Sequence, residues 1–182
     1  QSLNKMQEAW ADIRFQVVPY KNTGTYVVKG TEVILSLLDE HRVMTQAMQF
    51  STFKGPFEER ITNWDNKLLL VGDVLEVLLQ VQVSWLYLRP IFDSPDILKQ
   101  LPVEGKRFGN VNRVWRTTMA NFFANPDVLV VCDDPTLLTQ FQDGNKQLEI
   151  VQKGLSDYLD SKRGAFARFY FLSNDELLVV KR

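Results

Sequence analysis

The sequence predicts a mainly α fold: one or more helical bundles, with a small β-hairpin near the N-terminus. Three observations predict it. Apolar residues recur at steps of three and four through most of the chain. Ser, Thr, Asp and Pro stand at the starts of those runs, and Gly or Pro at their ends. The connections between runs are short, which favours antiparallel neighbouring helices.

Leu3, Met6, Trp10 and Ile13 lie at helical spacing on one face, so a first helix is expected over 3–13. Two β-branched and aromatic runs, 14–20 and 25–29, then flank a turn that contains Gly24. They predict a hairpin over about 14–29. Pro19 has to lie at its edge or beside the turn. Gly30 breaks the second strand, and Thr31 stands where a capping hydroxyl is wanted. The next helix is expected over about 32–50, facing inward through Val33, Ile34, Leu37, Leu38, His41, Met44 and Met48.

Residues 51–56 read as a loop, and Pro56 suits the first turn of the longest helix. Glu58 and Glu59 complement the positive end of its dipole. Ile61, Trp64, Leu68, Val71, Leu75, Leu78, Gln82, Trp85 and Leu88 form one stripe that ends at Arg89-Pro90. Unbroken, this helix is roughly 50 Å long. Leu69, Leu70, Val74, Leu79, Val81 and Val83 lie outside the stripe, so it is expected to pack on more than one side. Gly72 weakens it by about 1 kcal/mol relative to Ala.

Ser94-Pro95 opens a short helix to Leu101. A longer one over 103–124 carries Phe108, Val111, Trp115, Met119 and Phe122, and Asn125-Pro126 stops it. The run 128–131 fits a strand or a single helical turn. Asp134-Pro135 opens a helix to about Lys162, with Leu138, Phe141, Leu148, Val151, Leu155 and Tyr158 on its face; Arg163-Gly164 closes it. Residues 166–172 read as extended. Ser173 and Glu176 form a capping box that announces a further helix. The organisation expected is a hairpin at about 14–29, a helical bundle over 31–162, and an extended segment with the start of another helix over 166–182. That unfinished helix, and a first residue other than Met, point to a piece of a longer protein.

Composition narrows the function. The chain has 182 residues, 45% of them hydrophobic and 12% aromatic, so many large side chains need burial or an interface. Twenty-one basic residues balance 22 acidic ones. Nucleic-acid binding or adhesion to an acidic membrane usually needs a positive excess, so neither is expected. No run of about 18 consecutive apolar residues occurs, and no membrane span is expected. A single cysteine excludes an internal disulfide and a multi-thiolate metal site, and it fits a reducing compartment. A single histidine excludes His-rich metal and catalytic constellations.

The search for chemistry yields no catalytic, cofactor-binding or metal-binding residue. The run 128–131 followed by Asp133 and Asp134 loosely resembles a magnesium-holding strand. A phosphate loop is missing, and Glu104-Gly105-Lys106-Arg107 does not replace it. Asp134 reads better as the cap of the helix opened by Pro135. His41, beside Asp39 and Glu40, shares a face with apolar residues and reads as a packed histidine. Cys132 reads as a buried, inert thiol. Lys162, Arg163 and Arg168 read as a solvated helix end, with contact to an acidic surface as the alternative. Trp64, Trp85 and Trp115 read as core, with an interdomain surface as the alternative.

Several longer runs resemble a family. Thr23-Gly-Thr-Tyr-Val-Val-Lys-Gly30, Leu37-Leu-Asp-Glu-His41 and Thr45-Gln-Ala-Met48 are similar to the tail-to-motor linker region of dynein heavy chains. So are Ser84-Trp-Leu-Tyr-Leu-Arg-Pro-Ile-Phe92, Asp96-Ile97, Leu101-Pro-Val-Glu104 and Lys153-Gly-Leu-Ser-Asp-Tyr-Leu159 with Lys162-Arg163. The most specific run is Arg168-Phe-Tyr-Phe-Leu-Ser-Asn-Asp-Glu-Leu-Leu178. Pro90-Ile-Phe92 with Trp115-Arg116 resembles the axonemal heavy chains more than the cytoplasmic one. The ending Val179-Val-Lys-Arg182 departs from the family pattern, which continues with an acidic residue and more helix.

The resemblance implies that residues 1–182 are a fragment of the dynein linker domain. It implies a lever that passes ATP-driven changes of an AAA+ ring into movement along microtubules, with no catalysis and no cofactor of its own. The implied partners are the AAA+ ring of the same heavy chain and other dynein subunits, with the microtubule reached only indirectly. The implied location is the cytoplasm and cytoskeleton, in a ciliary or flagellar axoneme. A helical scaffold module is the alternative reading, and an enzyme a distant third. If bending occurs within the segment, the Gly and Pro breaks place it at loops such as 51–55 or 125–134 rather than in the 56–89 helix.

Overall fold

The computed structural model describes residues 2–52 and 54–165. The expected extended segment and capping box over 166–182 lie outside the described residues, as does Arg168 of the basic cluster. The elements in chain order are α1 (Ser2–Ala11), β1 (Gln16–Pro19), β2 (Tyr26–Lys29), α2 (Thr31–Gln49), a 3₁₀ turn (Gly55–Phe57), α3 (Glu58–Phe92), α4 (Pro95–Gln100), α5 (Pro102–Ala124), α6 (Val128–Cys132) and α7 (Pro135–Ala165). The fold is mainly α with one small antiparallel hairpin. The described residues divide into two compact units, one formed by those up to Leu79 with 115–142, the other by 80–114 with those from Asp143 onward.

In the first unit, α1 buries Leu3, Met6 and Trp10, spaced three and four apart. The chain then pairs briefly with the segment before α6: Phe15 N–H donates to Pro126 O at 2.7 Å and Val128 N–H to Ile13 O at 3.2 Å. The hairpin register sets Gln16 opposite Lys29 and Pro19 opposite Tyr26, so Pro19 falls beside the turn, where its missing N–H breaks no inner rung. Two aromatic stacks fix this region to α5, Phe15 on Phe122 at 5.2 Å and Tyr26 on Phe123 at 4.4 Å.

Two expectations about α2 are corrected. Thr31 is not its cap. Gly30 is, in the left-handed region at φ 64°, and Thr31 is the first helical residue. A strand must turn sharply into a helix here, and only Gly reaches that conformation without strain. A Cβ at Gly30 would also stand 2.7 Å from Gln16 Oε1. The inward face is rotated as well. Thr31, Ile34, Leu38, His41 and Thr45 are buried, whereas Val33 is 69% exposed and Met44 38%.

The stripe expected along α3 is buried at every position, from Ile61 to Leu88. Val74 and Val81, outside that stripe, are buried too, whereas Val83 is exposed. Gly72 brings α3 close to α2: a Cβ there would lie 3.3 Å from Leu38 Cδ2. With its leading turn, α3 (Gly55–Phe92) is long and apolar enough to cross a membrane by length and composition. The count of consecutive apolar residues missed this because Asp73, Glu76, Gln80, Gln82 and Ser84 interrupt the run. Half of its most apolar window is buried within the fold.

The helix also passes the stop expected at Arg89-Pro90 and ends at Phe92. A proline this close to the C-terminus costs one bond of the last turns. Asp93 N–H closes back on Arg89 O at 3.1 Å, and the Arg89 side chain meets the Asp93 carboxylate at 3.3 Å.

In the second unit, Phe92 stacks on Phe108 at 5.4 Å, and Leu148, Val151, Leu155 and Leu159 of α7 are buried. Trp85 Nε1–H donates to Asn112 Oδ1 at 2.8 Å, and Arg107 to Gln147 Oε1 at 2.6 Å. The expected face of α7 is adjusted at its ends: Leu137 and Leu159 are buried, and Leu138 and Tyr158 are partly exposed. Arg163-Gly164 does not close the helix, which runs to Ala165. Glycine weakens a helix by only about 1 kcal/mol. Lys162 and Arg163 in the last turn favour its negative end. The ambiguous run 128–131 is helical, as part of α6.

Candidate functional site

The most defined polar cluster lies where α1 meets α2. Trp10 Nε1–H donates to His41 Nδ1 at 2.9 Å, and the rings meet edge to face at 6.2 Å. Thr45 Oγ1–H donates to His41 O at 2.7 Å and lies 3.8 Å from Met6 Sδ. Trp10 and Thr45 are fully buried and His41 is 7% exposed. Burial holds the imidazole below its ordinary pKa of 6.5, and the neighbouring Glu40 carboxylate acts in the opposite sense. An Nδ1 that accepts must be unprotonated, so the ring is neutral with its hydrogen on Nε2. Sequence reasoning placed His41 on a packed face and missed its partner, which is 31 residues away in the chain. The spacing of His41 and Thr45, one helical turn, signals only the bond between those two and not the one to Trp10.

The other candidate groups do structural work. Asp134 Oδ1 accepts from Thr136 N–H at 2.9 Å, which is an N-cap on α7. Cys132 is fully buried, and desolvation pushes its thiol up to about 12, far from the thiolate form a nucleophile needs. Lys162 sits over the Tyr158 ring at 5.4 Å, and Arg163 pairs with Asp160 at 2.8 Å. Trp64, Trp85 and Trp115 are all core, at 3% exposure or less. Among the described residues, no group of three His, Cys, Asp or Glu side chains is placed to hold a metal.

A cleft of about 370 Å³ lies beside the 3₁₀ turn, with Leu3, Met48, Phe57 and Ile61 as its apolar lining and Lys54 and Arg60 as its charges. Arg60 is held by Asn4 Oδ1 at 2.9 Å and Gln7 Oε1 at 3.5 Å, both on α1. Lys54 meets the Glu58 carboxylate at 3.5 Å. Among the described residues, no carboxylate, imidazole or thiol lines this cleft, and its apolar lining is suited to packing a side chain.

The geometry is that of a packed helical segment with a capped helix start at Asp134 and ion-paired surface side chains. The comparison with known proteins gives its family. Residues 1–180 match the model of the dynein heavy chain, N-terminal region 2. The chain belongs to the dynein heavy chain family.

It is 54% identical over 180 residues to dynein axonemal heavy chain 1 of Rattus norvegicus and 53% identical to that of Homo sapiens, in each case over 99% of this chain. It is 41% identical over 179 residues, 98% of the chain, to dynein axonemal heavy chain 3 of Homo sapiens. The chain spans about 4% of the length of each of these heavy chains. Within the family, it is an N-terminal heavy-chain segment of axonemal type.

Proposed function

We propose that this dynein heavy-chain segment is part of the mechanical linker: a lever that carries ATP-driven changes of the AAA+ ring into movement along microtubules. It catalyses nothing itself. Its partners are the ring of the same heavy chain and other dynein subunits, and it meets the microtubule only indirectly. Its place of work is the cytoskeleton of a cilium or flagellum, in keeping with the axonemal heavy chains it is similar to.

The observation that carries this reading is the unbroken buried stripe of α3, from Ile61 to Leu88. Close-packed interiors deform little, so a helix whose stripe is seated along its whole length passes strain on instead of absorbing it. The long helices α5 and α7 carry comparable buried stripes, with Phe108 to Phe122 on one and Phe141 to Leu159 on the other. The test uses the whole heavy chain with Leu75→Ala, which softens the stripe. A lever predicts slower microtubule gliding at unchanged basal ATP turnover. Equal gliding, or a loss of turnover with normal gliding per ATP, contradicts it.

A second reading, a scaffold module, is favoured by the cleft beside Phe57 and by Phe50, which is 88% exposed. It predicts that Phe57→Ala removes a bound subunit from the complex and leaves gliding by the remaining motor unchanged.

A further inference from the structure

We propose that Trp10 and His41 form a proton-operated latch, which frees α1 from α2 when the imidazole is protonated. The latch goes beyond the lever reading and does not rest on it.

With ten residues, α1 is too short to hold helical structure without its packing partners. Its polar tie to α2 is the indole N–H bonded to His41 Nδ1 at 2.9 Å. Protonation places a second N–H on Nδ1, directly facing the first. Two donors then meet with no acceptor, and the bond is lost. The contact cannot rehydrate in place, because Trp10 is fully buried and His41 is 7% exposed. An imidazolium confined there is desolvated, so separation of α1 and α2 is the route by which it regains water.

Among the described residues, no anion but Glu40 acts on that charge. The helix α6, packed on α1, carries no charged side chain; on α3, Arg60 is held by Asn4 and Gln7, and Asp65 faces Gln49. From α1 the groups at this contact are Trp10 and Met6, both neutral, and the charged residues Lys5 and Glu8 of α1 are exposed. From α2 the contact contains the Thr45 hydroxyl, and Glu40 is the charge that acts on the ring. Glu40 opposes the effect of burial but does not cancel it, and the imidazole stays below its ordinary value.

The sign follows from linkage. In the released state His41 has its ordinary pKa near 6.5, and in the latched state it titrates lower. Above 6.5 neither state binds a proton and the latch is closed. As pH falls below that value, the released state takes up a proton that the latched state refuses. The opening constant then rises by up to about tenfold per pH unit, until the latched form titrates as well. His41 is the only histidine of the chain, so no other side chain here has an ordinary pKa in that window.

The experiment is hydrogen exchange read by mass spectrometry on the whole heavy chain, between about pH 7.5 and about pH 5. Rates are corrected for the intrinsic pH dependence of exchange. Expected is a loss of protection in α1 below pH 6.5, by up to about tenfold per pH unit, while α5 keeps its protection. His41→Asn keeps an acceptor oxygen near the Nδ1 position and removes the titration, so its α1 protection should not change with pH. Three results would overturn the latch: α1 protection that is flat with pH in the wild type, the same slope persisting in His41→Asn, or α5 losing protection in step with α1. The first and third need only the wild-type protein, so they stand even if the variant fails to fold.

Discussion

Trp85 and Asn112 join α3 to α5 through one hydrogen bond, in which the indole N–H donates to the amide oxygen at 2.8 Å. Trp85 is fully buried. A buried donor stripped of its acceptor retains the cost of desolvation, about 1–3 kcal/mol. Asn112→Leu is therefore expected to lower the stability of the second unit by about that amount. Asn112→Asp, which keeps an acceptor, should lose less. Equal losses in urea titrations of the two variants would show that the bond contributes nothing.

Trp64 and Leu75 sit on the α3 stripe at 3% and 0% exposure. Truncation of either to Ala leaves a cavity that close-packed neighbours fill only in part. The expected cost is about 3–5 kcal/mol for Trp64→Ala and about 2–5 kcal/mol for Leu75→Ala. Thermal melts of the two variants check this, and a melt unchanged from wild type would place the stripe outside the core.

Gly30 adopts φ 64° between β2 and α2, and a Cβ there would crowd the Gln16 side chain. Gly30→Ala is expected to cost about 1–2 kcal/mol for the left-handed backbone alone. Gly30→Asn should cost less, because Asn visits that region more readily. If chemical denaturation finds alanine and asparagine equally tolerated, the backbone strain assigned to this turn is absent.

The parts of the fold that were legible in the sequence share one property: their burial is apolar and periodic. The stripes of α3 and α5 could be read residue by residue, since every inward position from Ile61 to Leu88 except Gln82, and from Phe108 to Phe122 except Thr118, is apolar. The face of α2 was misread because its interior is partly polar. Thr31, His41 and Thr45 are buried, and hydrophobic spacing cannot count them. They can be buried because local geometry satisfies them, as when the Thr45 hydroxyl bonds the His41 carbonyl one turn back. Helix ends were the other weak point. Pro90 and Gly164 carry standard stop signals, yet α3 runs on to Phe92 and α7 to Ala165. The partner of His41 was not legible, because a hydrogen bond across 31 residues leaves no local trace.

Bending under load should settle where packing is weakest. The 51–54 loop, and the 125–134 loop at the links 125–127 and 133–134 that flank α6, lie between helices, whereas α3 is seated along its length. Bistable joints, not packed helices, take up displacement in proteins that switch. Structures of the whole heavy chain in two nucleotide states test the central claim, that force passes through this segment while fuel is consumed elsewhere. The account predicts an α3 that superposes over 60–85 in both states, with any change of direction confined to those two loops. A kink inside 60–85 with both loops unchanged would contradict it.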